Sequence, residues 1–212
     1  MKISEQQLHQ MMPNAGHRLD AHVPFINPAL EHAHIDTPDR IAAFLAQLAH
    51  ESGEYRYMEE LADGSAYEGR VDLGNTQPGD GVKFKGHGPI QITGRDAHGR
   101  CGKALGIDLI ANPTLICTPQ YGTASACWFW NDKAGGLSRL ADKGWMVAIS
   151  RLINGGTNGL ADRLQYWARN RAVLGLTEID PANEEASIMA FQLSKGLTAD
   201  GKIGPRTLAA LS

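Results

Sequence analysis

Residues 48–61 read LAHESGEYRYMEEL. An apolar run closes on His50 and Glu51, and a second pair of acids, Glu59 and Glu60, ends the next nine residues. Two carboxyl groups about 6.5–9.5 Å apart, with room for a water, are what inverting hydrolysis of a glycosidic bond requires. One of them must hold a proton near neutral pH, which burial against apolar neighbours achieves. Glu51, at the edge of the apolar run, suits the acid. Glu60, in a polar loop, suits the base. On one continuous helix the two would lie on opposite faces, about 13.5 Å apart along the axis. Gly53 stands where the helical pattern stops, so the chain can turn there and bring Glu60 back. On spacing alone, solvated charges at a helix end account for the same residues.

Other chemistries find less support. His50-Glu51 begins like HExxH, but the position of the second histidine holds Glu54. His32 and His34 could share a metal or be plain surface residues. There is no GxSxG and no GxxxxGK[ST]. Cys101, Cys117 and Cys127 form no CxxC and leave one unpaired, so buried, reduced thiols are expected. Neither a metal nor another cofactor is expected. The formal net charge of −3 gives no basic footprint for nucleic acid. No apolar run reaches membrane-spanning length, so membrane insertion is not expected. The opening MKISEQQLHQMM has no apolar core and no cleavage pattern, so no signal peptide is expected and the protein should stay in a cytoplasm unless released.

The elements that must position these acids are mostly helices. Ser4 to Met12 reads as a short helix capped by Ser4. A polar, proline-bearing stretch runs through Pro24 and Pro28. The strongest helix begins at the Thr37 cap with Pro38 in its first position. Ile41, Phe44, Leu45, Leu48 and Ala49 form its apolar stripe, with His50 opposite and Glu51 at the border. Residues 62–88 form a long irregular segment of the kind that usually carries function. In GPIQITG a short strand would place Gln91 and Thr93 on one face. Pro119–Asn131 reads as a buried helix with Tyr121, Ala124 and Trp128 in register. Leu137–Ile153 reads as one helix, INGGTNG as a turn, and Leu160–Leu174 as the last helix of a main domain spanning 1–176. A linker, 177–183, precedes a helix–turn–helix tail, 184–212, too short to own a core.

HESG at 50–53, Glu60 nine residues after Glu51, GHGPIQITG at 86–94 and INGG at 153–156, in that order, resemble glycoside hydrolase family 19. More narrowly, they resemble its phage endolysin and bacterial chitinase-like branch. The resemblance implies a mostly α, lysozyme-like α+β fold with a minor β element and a deep substrate cleft. It implies inverting hydrolysis of β-1,4 bonds beside N-acetylated sugars. Carried over by position, Glu51 matches the general acid and Glu60 the general base. Thr93 matches the hydroxyl that helps hold the water, Gln91 and Asn154 line the cleft, and Arg163 matches a buried arginine paired with the acidic network. Tyr67 and Arg70 are cleft or loop-packing residues. Glu68 is a rival base, ahead of Glu59. His87 stands where relatives commonly carry arginine, so a titrating group replaces a fixed charge and the pH profile should shift.

The tail AFQLSKGLTADGKIGPRTLAAL resembles the second half of the common peptidoglycan-binding domain. It is either a wall-targeting segment or a helical appendage docked on the main domain. The combined expectation is a monomeric phage or prophage endolysin whose partner is the peptidoglycan glycan strand. A separate pore-forming protein would release it to the wall. The alternatives are a chitinase acting on N-acetylglucosamine polymers, a non-catalytic wall-binding protein, and a metal-dependent peptidase or amidase.

Overall fold

A computed structural model describes residues 1–211. The helices are α1 (Glu5–Met11), α2 (His17–His32), α3 (Pro38–Ser52), α4 (Asp80–Lys83), α5 (Arg95–Leu105), α6 (Pro119–Asp132), α7 (Ser138–Ala141), α8 (Met146–Asn154), α9 (Leu160–Val173), α10 (Glu184–Ser194) and α11 (Pro205–Ala210). Among the described residues, β structure is limited to isolated antiparallel bridges, Glu59 to His87 and His87 to Ile92. None of their helices is long and apolar enough to cross a membrane.

Helix α1 is closed by a reciprocal box. The Gln7 N–H donates to Ser4 Oγ and the Ser4 N–H donates to Gln7 Oε1. In α3, Thr37 accepts from the Arg40 N–H and Pro38 opens the first turn. Every residue from Ile41 to Ala49 is buried. The expected stripe is therefore only part of the buried surface: α3 is a central helix, packed most extensively on α9. Gln47 lies fully buried within it because Ser150 and Arg163 satisfy its amide.

The structure departs from the sequence reading in four places. The stretch through Pro24 and Pro28 is helical, inside α2. Each proline removes one amide donor. Both prolines are exposed, so the carbonyls left unpaired, at Asp20 and Pro24, belong to exposed residues that water can reach. Leu19, His22, Ile26 and Leu30 supply the buried face. In α6 the buried face carries Gly122, Ser125, Ala126 and Trp130. Tyr121, Ala124 and Trp128 instead line a surface hollow of about 460 Å³ with Phe25 and Leu105. The expected helix over 137–153 is broken into α7 and α8, with Gly144 at φ +69° between them. A side chain there would also meet Ile179. Finally, GPIQITG is a tight turn and not a strand, because Gln91 takes φ +54°.

The tail is docked on the main domain. The Glu184 carboxylate accepts the Val147 and Ala148 N–H groups, at 2.7 and 2.6 Å, at the first turn of α8. Trp145 Nε1 donates to Ser187 and Arg139 to the Leu208 carbonyl. Residues 177–183, expected as a linker, are tied in as well, since the Arg171 guanidinium donates to the Thr177 carbonyl.

Burial raises the Glu184 carboxyl to about 6, against its usual value of 4.5, although the two amides pull the other way. The raised value means that the docked state holds this proton more tightly than an undocked one. Its contribution is present below pH 4.5 and is lost as pH rises through about 6. The docked tail is therefore expected to be more stable at pH 5 than at pH 7.5, by about 1 kcal/mol. Thermal unfolding at the two pH values checks this, and Glu184→Gln should remove that difference.

Candidate active site

The acids are positioned by a reversal at the end of α3. Gly53, Glu54 and Tyr55 take φ of +55°, +58° and +62°, three left-handed residues in succession. Only glycine adopts that conformation freely, so the other two must be held. The Tyr55 N–H donates to Ser52 Oγ, which in turn donates to the Leu48 carbonyl. The Tyr55 ring stacks on His22 at 3.9 Å, and its hydroxyl bonds Thr123. The chain then returns along Gly86–Gly88: Glu60 N–H donates to the Gly86 carbonyl and Gly88 N–H to the Met58 carbonyl.

Glu60 is held by two donors. Tyr67 OH donates to Oε1 at 2.9 Å, and the Gly86 N–H donates to Oε2 at 2.8 Å. The neighbouring carboxylate raises the Tyr67 phenol, which stays protonated and donating. A Cβ at Gly86 would come within 2.5 Å of Gln91 Oε1 and 3.2 Å of Glu60 Oε2, so a side chain there would displace the ends of both. The Gln91 carboxamide thus lies against Glu60, while its nitrogen donates to the Gly88 carbonyl. Thr93 Oγ1 donates to the Gln91 carbonyl at 3.0 Å and keeps its lone pairs to accept from a water.

Glu51 has a different setting from the apolar one expected. Arg163, 2% exposed at its side chain, donates from Nη2 to Glu51 Oε1 at 2.6 Å. Its Nη1 donates to Gln47, whose own amide donates to Ser150. Arg163 is therefore a positioning residue behind Glu51 and not a substrate contact. Next to Glu51, His50 Nδ1 lies 2.6 Å from Asp162, and its ring fills the space where Gly159 lacks a side chain. The end of α3 is in this way fixed to the start of α9.

The other residues singled out in the sequence have these partners in the structure. Asn154 Nδ2 donates to the Asn158 carbonyl and its Oδ1 accepts the Gly156 N–H, so its amide closes the α8–α9 turn. Glu68 is bound at both oxygens by the Gly79 and Gly81 N–H groups, at 2.7 and 2.8 Å, and staples the loop ahead of α4. His87 is buried against His98, with Nδ1 to Nε2 at 3.1 Å. Burial lowers both rings, His98 to about 4, so this pair is neutral in the physiological range and does not supply the expected titrating charge to a glycan. Glu59, the third candidate base, pairs with Lys85 at 3.0 Å.

The residues that the sequence left unmarked are Gln47 and Gly86. The signal for Gln47 was one amide inside the apolar run FLAQLA; the Gly86 amide left none. Cys101 and Cys127 are buried, and burial raises both thiols, Cys101 to about 12. Among the described residues, Glu5, His9 and Asp20 lie close enough to share a cation, on α1 and α2.

These placements separate the rival bases. Glu60→Gln is expected to lower turnover by about 10²-fold or more, the usual contribution of a general base. Glu68→Gln replaces one acceptor by a donor facing an N–H, loosening the loop by about 1–3 kcal/mol while costing less than tenfold in turnover. Parallel kinetics and limited proteolysis of residues 62–85 distinguish the two.

Residues 33–138 match the glycoside hydrolase 19 model described as chitinase class I. Residues 177–211 match a peptidoglycan-binding domain model. Endochitinase At2g43620 of Arabidopsis thaliana is 37% identical over 144 residues, which are 65% of this chain and 48% of that protein. A second Arabidopsis endochitinase, At2g43610, is 39% identical over 55% of this chain and 39% of its own length. The chain thus spans about half the length of these plant relatives. A glycosyl hydrolase family 19 domain-containing protein of Haemophilus influenzae is 27% identical over 79% of this chain and 94% of its own. The crystal structure of chitinase C from Streptomyces griseus superposes with a TM-score of 0.69 at 26% identity, over 82% of this chain and 77% of that one. The mostly α, lysozyme-like fold class is shared with it.

Proposed function

The chain belongs to glycoside hydrolase family 19, and from that premise we propose that it hydrolyses the β-1,4 glycosidic bonds of bacterial peptidoglycan as an endolysin. The observation that carries the reading is the pair of fixed carboxylates, Glu51 on Arg163 and Glu60 on Tyr67 and Gly86, in a chain whose tail matches a peptidoglycan-binding model.

In this reading the glycan lies in a cleft between the end of α3 and the 86–93 turn. Glu51, with Oε1 anchored on Arg163, carries its proton on Oε2 and delivers it to the leaving glycosidic oxygen. Glu60 draws a proton from a water on the opposite face of the sugar, so the anomeric centre inverts. Thr93 accepts a hydrogen bond from that water, and Gln91 orients sugar hydroxyl or acetamido groups beside Glu60. No cofactor takes part. Residues 1–176 carry catalysis, and 184–212, reached through 177–183, hold the enzyme to the wall. The protein acts as a monomer. It waits in the cytoplasm of a bacterial host until a separate pore-forming protein lets it reach the wall, and the host lyses.

The test is turnover on purified peptidoglycan and on chitin oligosaccharides, with the product anomer followed by NMR. Peptidoglycan cleavage with an inverted first-formed anomer supports the proposal; a retained anomer removes the two-carboxylate mechanism. The naming of the plant relatives as endochitinases favours a second reading, a chitinase acting on N-acetylglucosamine polymers. Turnover confined to chitin would select it.

A further inference from the structure

A hollow of about 290 Å³ opens beside the α3 reversal, and Glu54 forms part of its wall. Glu54 is 1% exposed. Its Oε1 accepts from Asn14 Nδ2 at 3.0 Å and from Tyr166 OH at 2.6 Å. Its Oε2 has no hydrogen-bond partner among the described residues, and no cation there lies within ion-pair distance of the carboxylate. A buried carboxylate with one empty oxygen is costly and calls for a donor. Arg18 and Arg56, both exposed, line the same hollow, and neither forms an ion pair among the described residues. The hollow therefore offers two cations without an acidic partner, Arg56 and Arg18, the latter anchored by Nη2 on the Asn14 carbonyl at 2.7 Å, beside an unsatisfied buried acceptor.

Its place is as telling as its chemistry. Tyr166 stands three residues after Arg163 on α9, so the two share a face one turn apart, and Arg163 holds Glu51. On the other side, Tyr57 lines the hollow while its carbonyl faces the Gln91 amide at 3.4 Å. A molecule seated here lies next to a glycan at Glu51 and Glu60.

We propose that this hollow binds the peptide branch of a wall glycan, a carboxylate of the peptide meeting Arg18 and Arg56 and an amide or ammonium group donating to Glu54. A polymer of N-acetylglucosamine has no carboxylate to offer the arginines; a peptide-substituted glycan has both groups on one chain. The inference rests on the peptidoglycan reading above and assigns that substrate a second point of recognition.

Two measurements on the full-length protein test it. The first is calorimetric titration of a synthetic acidic stem-type tetrapeptide into the Glu51→Gln variant, with and without Arg18→Ala and Arg56→Ala. The second is steady-state kinetics of the otherwise native chain on peptide-bearing glycan and on glycan stripped of peptide. The double arginine variant should weaken tetrapeptide binding about tenfold, the loss of two partly exposed charged hydrogen bonds. It should raise KM for the peptide-bearing glycan by a similar factor, with kcat within about twofold and the stripped glycan unaffected. Equal effects on both glycans, or no tetrapeptide binding at millimolar concentration, would overturn the proposal. Arginine-dependent tetrapeptide binding by a chain that cleaves neither glycan would uphold this site while removing the hydrolase reading.

Discussion

Glu51→Gln is expected to lower kcat on glycan by about 10²–10⁴-fold, the range a positioned general acid supplies. The substitution keeps the size of the side chain and an oxygen for Arg163 Nη2, so the end of α3 should hold its place. Substrate binding should therefore persist, with KM within a few-fold, and the loss should fall on kcat. Circular dichroism and thermal unfolding of the variant separate a chemical loss from a structural one. Turnover within tenfold of the native protein would take Glu51 out of the chemistry, and a non-catalytic wall-binding protein would show no change in binding at all.

Arg163→Met should have the largest effect on stability. Its guanidinium is buried and joins Glu51 to Gln47, which continues to Ser150. Removing one partner of a buried pair leaves the other charge uncompensated, a loss of about 3–5 kcal/mol. Here Gln47 Oε1 would lose its donor in the same step. Urea unfolding of the native and variant chains measures the difference. Arg163→Lys keeps the charge but has no planar fork to reach both acceptors, so it should recover only part of the loss. Turnover should fall in both, because Glu51 loses its orientation. A change below about 1 kcal/mol would mean that Arg163 does not tie α9 to α3.

The parts of this architecture legible in sequence are those written in local chemistry. Thr37-Pro38 marks the start of α3, and Gly53 marks the reversal that returns Glu60. The pairing of Arg163 with Glu51 followed from the family resemblance, and the contact is present although Arg163 lies beyond the residues matched to the family model. What escaped was decided by tertiary packing. Pro24 and Pro28 read as helix breakers because their solvent-facing placement depends on α2 lying against α6. The apolar stripe of α3 understated its burial because neighbours cover the other faces too. His87 looked like a charge for the glycan because nothing in GHG announces His98 eleven residues later. Glu68 and Asn154 have the side chains of site residues, but nearby backbone groups engage them first. At three glycines, 86, 144 and 159, a side chain would meet side chains that arrive from elsewhere in the chain.

The measurement that bears most directly on the central claim is mass analysis of purified peptidoglycan after digestion, with Glu51→Gln alongside. The account predicts fragments with new reducing sugar ends from the native chain and none from the variant, the terminal sugar naming the bond that is cut. New free amino groups or released peptides without cleavage between sugars, from either protein, would contradict it.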